Sequence, residues 1–257
     1  MQRKILSNKR VYFASDQHLG APTYEESRKR EKQFLSWLEE VEKDAALLIL
    51  MGDLFDFWFE YERVVPKGFV RTLGKLTQLV DSGIEVLCFV GNHDLWMKDY
   101  FPKELGIPVF HKPQKITLND KTFLVGHGDG LGPGDKGYKR MKKVFTHPFA
   151  NWLFRWFHPD LGVRLAQHLS IRNRLLSGDD NVQFEGAENE WLVHYCRRKL
   201  KENHYDYFLF GHRHLPFQIP IGEASEYINT GDWIYHNTYA VFTGEQLKLE
   251  KWERTDD

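Results

Sequence analysis

Five short polar motifs in this chain carry the residue types that bind divalent metals: Asp16-Gln17-His18, Gly52-Asp53 with Asp56, Gly91-Asn92-His93-Asp94, Gly126-His127 and Gly211-His212-Arg213-His214. Together they offer carboxylate oxygen, amide oxygen and imidazole nitrogen, a mixed donor set that can hold two divalent ions side by side. Two such ions can neutralise charge on a bound substrate and make a nucleophile available at neutral pH. A single Asp after a strand is more often a turn former or a helix cap than a ligand. Recurrence along the chain is what favours the metal reading.

The elements around the motifs place each one at a strand end. The runs Arg10–Ser15, Ala45–Met51, Ile84–Val90, Thr122–Val125 and Tyr207–Phe210 are short, apolar and rich in β-branched or aromatic residues. Such runs read as strands buried on both faces. Each stops at a motif, so the polar groups sit past the carboxyl ends of strands, where open α/β sheets place their sites. His212 and His214 occupy alternate positions, and alternation along a strand would turn both to one face. His111, His147, His158, His168, His194, His204 and His236 have no motif around them and read as surface, capping or core histidines.

The order Asp-x-His, Gly-Asp-x-x-Asp, Gly-Asn-His-Asp, Gly-His and Gly-His-x-His resembles the calcineurin-like metallophosphoesterases, over Asp16 to His214. The resemblance implies that Asp16, His18 and His214 hold one metal, that Asn92, His127 and His212 hold the other, and that Asp53 bridges them. It also implies an α/β fold, a four-layer αββα sandwich of two mixed sheets flanked by helices. Within the family the chain looks most like the UDP-2,3-diacylglucosamine hydrolases of lipid A synthesis. The residues behind that likeness are Ser15-Asp16-Gln17-His18-Leu19-Gly20, Gly52 to Trp58, His127-Gly128-Asp129 followed by Asp135-Lys136-Gly137-Tyr138, and Asn229-Thr230-Gly231-Asp232-Trp233. One position departs from the best-known branch, which carries Arg after the Asn of the third motif where this chain has His93.

The expected catalytic pair is His93 and Asp94. His93, beside the ligand Asn92, can give a proton or hydrogen bond to the leaving oxygen, with Asp94 orienting the imidazole and keeping it protonated. A leaving nucleotide or sugar phosphate departs as a stable anion, so His93 is expected to matter less than the metal ligands on a pyrophosphate. The donor set permits Mn²⁺, Fe²⁺ or Zn²⁺, and the resemblance implies Mn²⁺. It implies a lipid-linked nucleotide sugar as substrate and the cytoplasmic face of the inner membrane as a peripheral location. The alternatives are a phosphoesterase of the same fold with another substrate, and a noncatalytic scaffold.

Composition is consistent with a single catalytic domain over residues 1–257. The net charge of −1 argues against a protein built around nonspecific nucleic-acid binding. Two cysteines, Cys88 and Cys196, give no disulfide framework and point to a reducing compartment. The first ten residues are charged without an apolar h-region and do not read as a secretory signal. No apolar run approaches the roughly 20 residues that cross a bilayer.

Helical periodicity marks Glu25–Val41, the stretch from Phe69 to Val80, and Glu188–Leu200 as helices. The runs at Phe217–Ile221, Glu226–Asn229, Thr238–Phe242 and Gln246–Trp252 read as the closing strands of the second sheet. Between about 130 and 181 the sheet rhythm breaks into a helical insertion, a candidate lid. There Lys136, Lys139, Arg140, Lys142, Lys143, Arg155, Arg164, Arg172 and Arg174 face Asp160 alone between Lys136 and Arg174. Mixed with Phe145, Phe149, Trp152, Trp156 and Phe157, this composition suits acyl chains with phosphates, or an anionic membrane surface. Arg172 and Arg174 are candidate substrate contacts.

Overall fold

The structure, a computed structural model, describes residues 1–132, 136–166, 184 and 186–253. Strand alternation builds its centre. In β2 (Arg10–Ala14), Val11 and Phe13 point to one side while Tyr12 and Ala14 point to the other. β3 (Ala45–Leu50) and β4 (Glu85–Phe89) divide their residues in the same way, and the short β5 (Val109–Phe110) pairs parallel with β4 at the sheet edge. Both faces of this sheet are therefore apolar, and both must be covered.

On the outer face lie α1 (Tyr24–Asp44) and α2 (Val70–Asp81), which bury Phe34, Trp37, Leu38, Leu76 and Leu79 against it. Thr23 caps α1 by accepting from the backbone N–H of Glu26. The inner face meets a second sheet. Its strands are β1 (Gln2–Arg3), β6 (Gln114–Leu118), β7 (Lys121–Val125), β8 (Tyr207–Phe210), β10 (Ser225–Thr230) and β9 (Pro216–Ile221), in that order across the sheet. Ile116, Phe123, Val125, Leu209 and Ile228 pack between the sheets, and the rings of Phe13 and Phe123 stack at 5.9 Å. α6 (Trp191–Leu200) covers the far face of that sheet with Leu192, Val193 and Cys196. Four layers result, helix, sheet, sheet, helix, as expected.

The closing strands divide between the sheets. β9 and β10 extend the second sheet, but β11 (Thr238–Phe242) pairs antiparallel with β2, and β12 (Leu247–Lys251) pairs with β11, so both complete the first sheet. The reason lies in β11, whose Ala240 and Phe242 enter the core between the sheets while Val241 faces the helices. That two-faced burial is met beside β2.

The stretch after β7 holds α3 (Lys136–Phe145), α4 (Pro148–Arg155) and α5, a helical run at 159–166. Its aromatics serve two ends. Phe154 packs on Phe59 at 4.6 Å, and Trp96 donates to the Phe145 carbonyl at 2.8 Å. Phe149, Trp152, Trp156 and Phe157 are each more than half exposed. Arg172 and Arg174 lie outside the described residues.

Candidate metal centre

The parallel strands β2, β3 and β4 of one sheet and β7 and β8 of the other deliver their carboxyl-terminal loops to one place. Backbone hydrogen bonds continue the pairing past the strands, from Asp16 N–H to Gly52 O at 3.1 Å and from Gly211 N–H to His127 O at 2.9 Å. Asp16, His18, Asp53, His212 and His214 all adopt positive φ, between 44° and 68°. Non-glycine residues rarely hold this conformation, and it concentrates at functional sites. His212 and His214 thus converge through two left-handed turns beyond β8, and not through alternation along a strand.

The donor atoms converge closely. His18 Nε2 and His214 Nε2 are 3.2 Å apart, and lie 3.7 and 3.4 Å from Asp16 Oδ1. Asp53 Oδ2 is 3.3 Å from His127 Nε2 and 3.7 Å from His18 Nε2, between the two groups. Asn92 Oδ1 lies 3.1 Å from His127 Nε2, and the His212 ring stands 5.1 Å from that of His127. The structure therefore brings together all seven residues expected to bind metal.

A model of the calcineurin-like phosphoesterases matches residues 9–216, most of the chain. The chain belongs to this family. A UDP-2,3-diacylglucosamine hydrolase of Porphyromonas gingivalis is 37% identical to it, over 95% of this chain and 98% of the relative. One of Pseudomonas aeruginosa is 28% identical, over 87% and 90%. A solved structure of zinc-bound Vps29 from Entamoeba histolytica superposes with a TM-score of 0.44 at 12% identity, covering 93% of this chain and 89% of that one. A likeness that loose bears on nothing in the site.

Membership in the calcineurin-like phosphoesterases implies divalent metal ions, and the donor set passes the test of fit. Asp16 Oδ1 is buried with no hydrogen-bond partner, an arrangement that costs free energy unless a cation sits beside it. Asp16 Oδ2 is already engaged, accepting from the Ser15 hydroxyl and from the His212 N–H at 3.0 Å. His127 Nδ1 lies 3.0 Å from the Met51 carbonyl, which calls for a proton on Nδ1 and directs Nε2 to the centre. A Cβ at Gly91 would stand 2.1 Å from Asp53 Oδ1, so only glycine leaves room for that carboxylate.

The electrostatics fit a site assembled for cations. Burial pushes the Asp53 carboxyl up, but the imidazoles of His127, His93 and His18 outweigh it and hold it well below the ordinary range. Burial, with the charge of Asp53 adding, raises Asp16. Burial lowers His127, yet Asp53 overcomes it and lifts the imidazole to about 10. Burial and the neighbouring His127 drive His212 down to about 3.

The contact expected from Asp94 to His93 is not the one formed. Asp94 is buried and accepts from the backbone N–H of Gly91 at 2.7 Å and of Leu54 at 2.9 Å. It fixes the loops that carry Asn92 and Asp53. His93 Nδ1 instead lies 3.0 Å from the Asp56 carbonyl and 3.5 Å from its carboxylate, which is also 3.5 Å from His18 Nδ1. Removing the Asp94 carboxylate would leave buried amides without acceptors. Asp94→Ala is expected to destabilise the fold by about 3 kcal/mol, measured as a lower denaturant midpoint at unchanged slope.

Two more carboxylates act here that the motif reading did not assign. Asp232 Oδ2 lies 3.2 Å from His214 Nδ1, while Oδ1 accepts from the N–H of Ile234, Tyr235 and His236. The signal was present, since Gly231-Asp232 after β10 repeats the strand-Gly-Asp step of Gly52-Asp53. Asp129 accepts from the Tyr138 hydroxyl and the Lys142 ammonium, tying α3 to the loop that carries His127.

Proposed function

We propose that this chain hydrolyses the pyrophosphate of UDP-2,3-diacylglucosamine, releasing UMP and 2,3-diacylglucosamine 1-phosphate. The observation that carries the reading is the 37% identity, over nearly the full length of both chains, to a relative with that activity in its name. The family's two-metal donor set supports it, with Asp16, His18 and His214 around one ion, Asn92, His127 and His212 around the other, and Asp53 between them. Two divalent ions, Mn²⁺ by resemblance, supply positive charge for the phosphate oxygens and lower the pKa of water.

The remaining work falls to the chain itself. His93 is the proton or hydrogen-bond donor to the leaving oxygen, its ring set through Nδ1 by Asp56. Asp94 acts on the loops of Asn92 and Asp53. Because a phosphate leaving group departs as a stable anion, His93→Ala is expected to lose roughly tenfold in kcat on the lipid nucleotide. The loss is expected to be larger on a phosphodiester with an alkoxide leaving group. Comparing the two substrates in the same variant checks this.

The exposed aromatics of α4 and the cations of α3 support acyl-chain and headgroup contacts by the insertion, which the proposal places as a lid over the site. Arg172 and Arg174, outside the described residues, are the phosphate contacts of this reading. No helix among the described residues is long and apolar enough to cross a membrane. We place the protein at the cytoplasmic face of the inner membrane, held peripherally, with no nucleic-acid partner. Product analysis tests the bond cleaved: UMP with the sugar 1-phosphate supports the proposal, and UDP with the free sugar overturns it.

A further inference from the structure

Arg213, between His212 and His214 in the chain, reaches the residue at the start of α6. Its guanidinium donates through Nε to Glu190 Oε2 and through a terminal nitrogen to Oε1, both at 3.0 Å. Glu190 is 2% exposed and occupies the N-cap of α6, but its side chain makes no capping bond. The carboxylate is committed to Arg213. A two-bond pair of this kind fixes direction as well as distance.

The first turn of α6 also lies against the other metal loop. A Cβ on Gly128 would stand 3.1 Å from Leu192 Cδ1 and 3.4 Å from His212 Cβ. A Cβ on Gly132 would stand 2.9 Å from that of Trp191, so the segment entering the insertion meets the segment leaving it. One helix start thus touches the loops of His127, His212 and His214. Left-handed backbone at His212 and His214 is unfavourable by itself and persists only where its surroundings hold it.

We propose that Arg213 is a positioning residue, whose pairing with Glu190 ties the loop bearing His212 and His214 to α6, so that the seating of α6 sets the alignment of two metal ligands. The inference rests on the assignment of these two histidines as ligands. Losing one partner of a buried pair leaves the other charge uncompensated. The loop then relaxes toward ordinary backbone conformations and the ligands drift.

The test uses Glu190→Gln, Arg213→Gln and the double variant in the full chain, with Mn²⁺ binding by calorimetry and the melting temperature of the metal-free protein. Expected is an affinity weakened about tenfold in each single variant, the scale of an outer-shell ligand support. The double variant should be no weaker than either single one, because the two substitutions break the same link. The kcat of the loaded enzyme should fall with little change in KM. Should Arg213→Gln fail to fold, Glu190→Gln, which keeps the volume and one hydrogen bond, decides alone. Wild-type affinity in folded variants that merely melt lower would make the pair structural and overturn the inference. A wild-type protein that binds no Mn²⁺ would overturn the ligand assignment with it.

Discussion

Asp53→Ala is expected to lose about 10³-fold or more in kcat while the protein stays folded. Asp53 Oδ2 faces both imidazole groups, 3.3 Å from His127 Nε2 and 3.7 Å from His18 Nε2. As the proposed shared ligand of two ions, its carboxylate would supply part of the charge stabilisation of several kcal/mol that a paired centre gives. The fold has less to lose. Its sheets are held by apolar cores of which Asp53 is no part, and removing Asp53 withdraws a negative charge that adds to burial in raising both Asp16 and Asp94. Circular dichroism should therefore match wild type while turnover collapses. Activity within tenfold of wild type would exclude Asp53 as a bridging ligand.

The second large effect is proton-linked metal binding. In the metal-free centre, burial disfavours a proton on His127, but Asp53 outweighs it and holds that proton up to about pH 10. A metal held by His127, as proposed, would need the neutral imidazole, so loading would expel the proton. The sign follows directly: below about pH 10 the proton competes, and the apparent affinity falls as pH falls. Between pH 9 and pH 7 the affinity should drop roughly tenfold per unit for each proton displaced. Calorimetry in two buffers of different ionisation enthalpy reads the release directly. A binding enthalpy independent of buffer would mean that His127 is not titrated by the metal.

The centre was legible in the sequence because its chemistry is tied to strand ends. Asp16, Asp53, Asn92, His127 and His212 each follow a continuous apolar run, and the turn signal that closes such a run marks the strand end. The four layers were implied by the family resemblance and supported by the order of strands and amphipathic helices, in keeping with β3 and β4 being apolar on both faces. Contacts across the chain were not legible. Local sequence places Asp94 beside His93, yet the backbone turns Asp94 onto the amides of Gly91 and Leu54 and leaves His93 to Asp56, 37 residues away.

Partnership at that range depends on how loops stack once the sheets have formed. The pairing of Glu190 with Arg213 is hidden likewise, because an acidic residue before a helix reads as an ordinary cap. The return of β11 to β2 escaped the strand count. An alternating pattern says that a strand is buried, and leaves open beside which neighbour.

The most direct test of the central claim is kcat/KM for UDP-2,3-diacylglucosamine, measured with Mn²⁺ beside p-nitrophenyl phosphate and bis-p-nitrophenyl phosphate. The value for the lipid nucleotide is expected at least about 10³-fold above both generic esters, since binding energy from the nucleotide and the acyl chains is realised only on that substrate. Equal or higher values on the generic esters would leave a working metal centre and contradict the substrate.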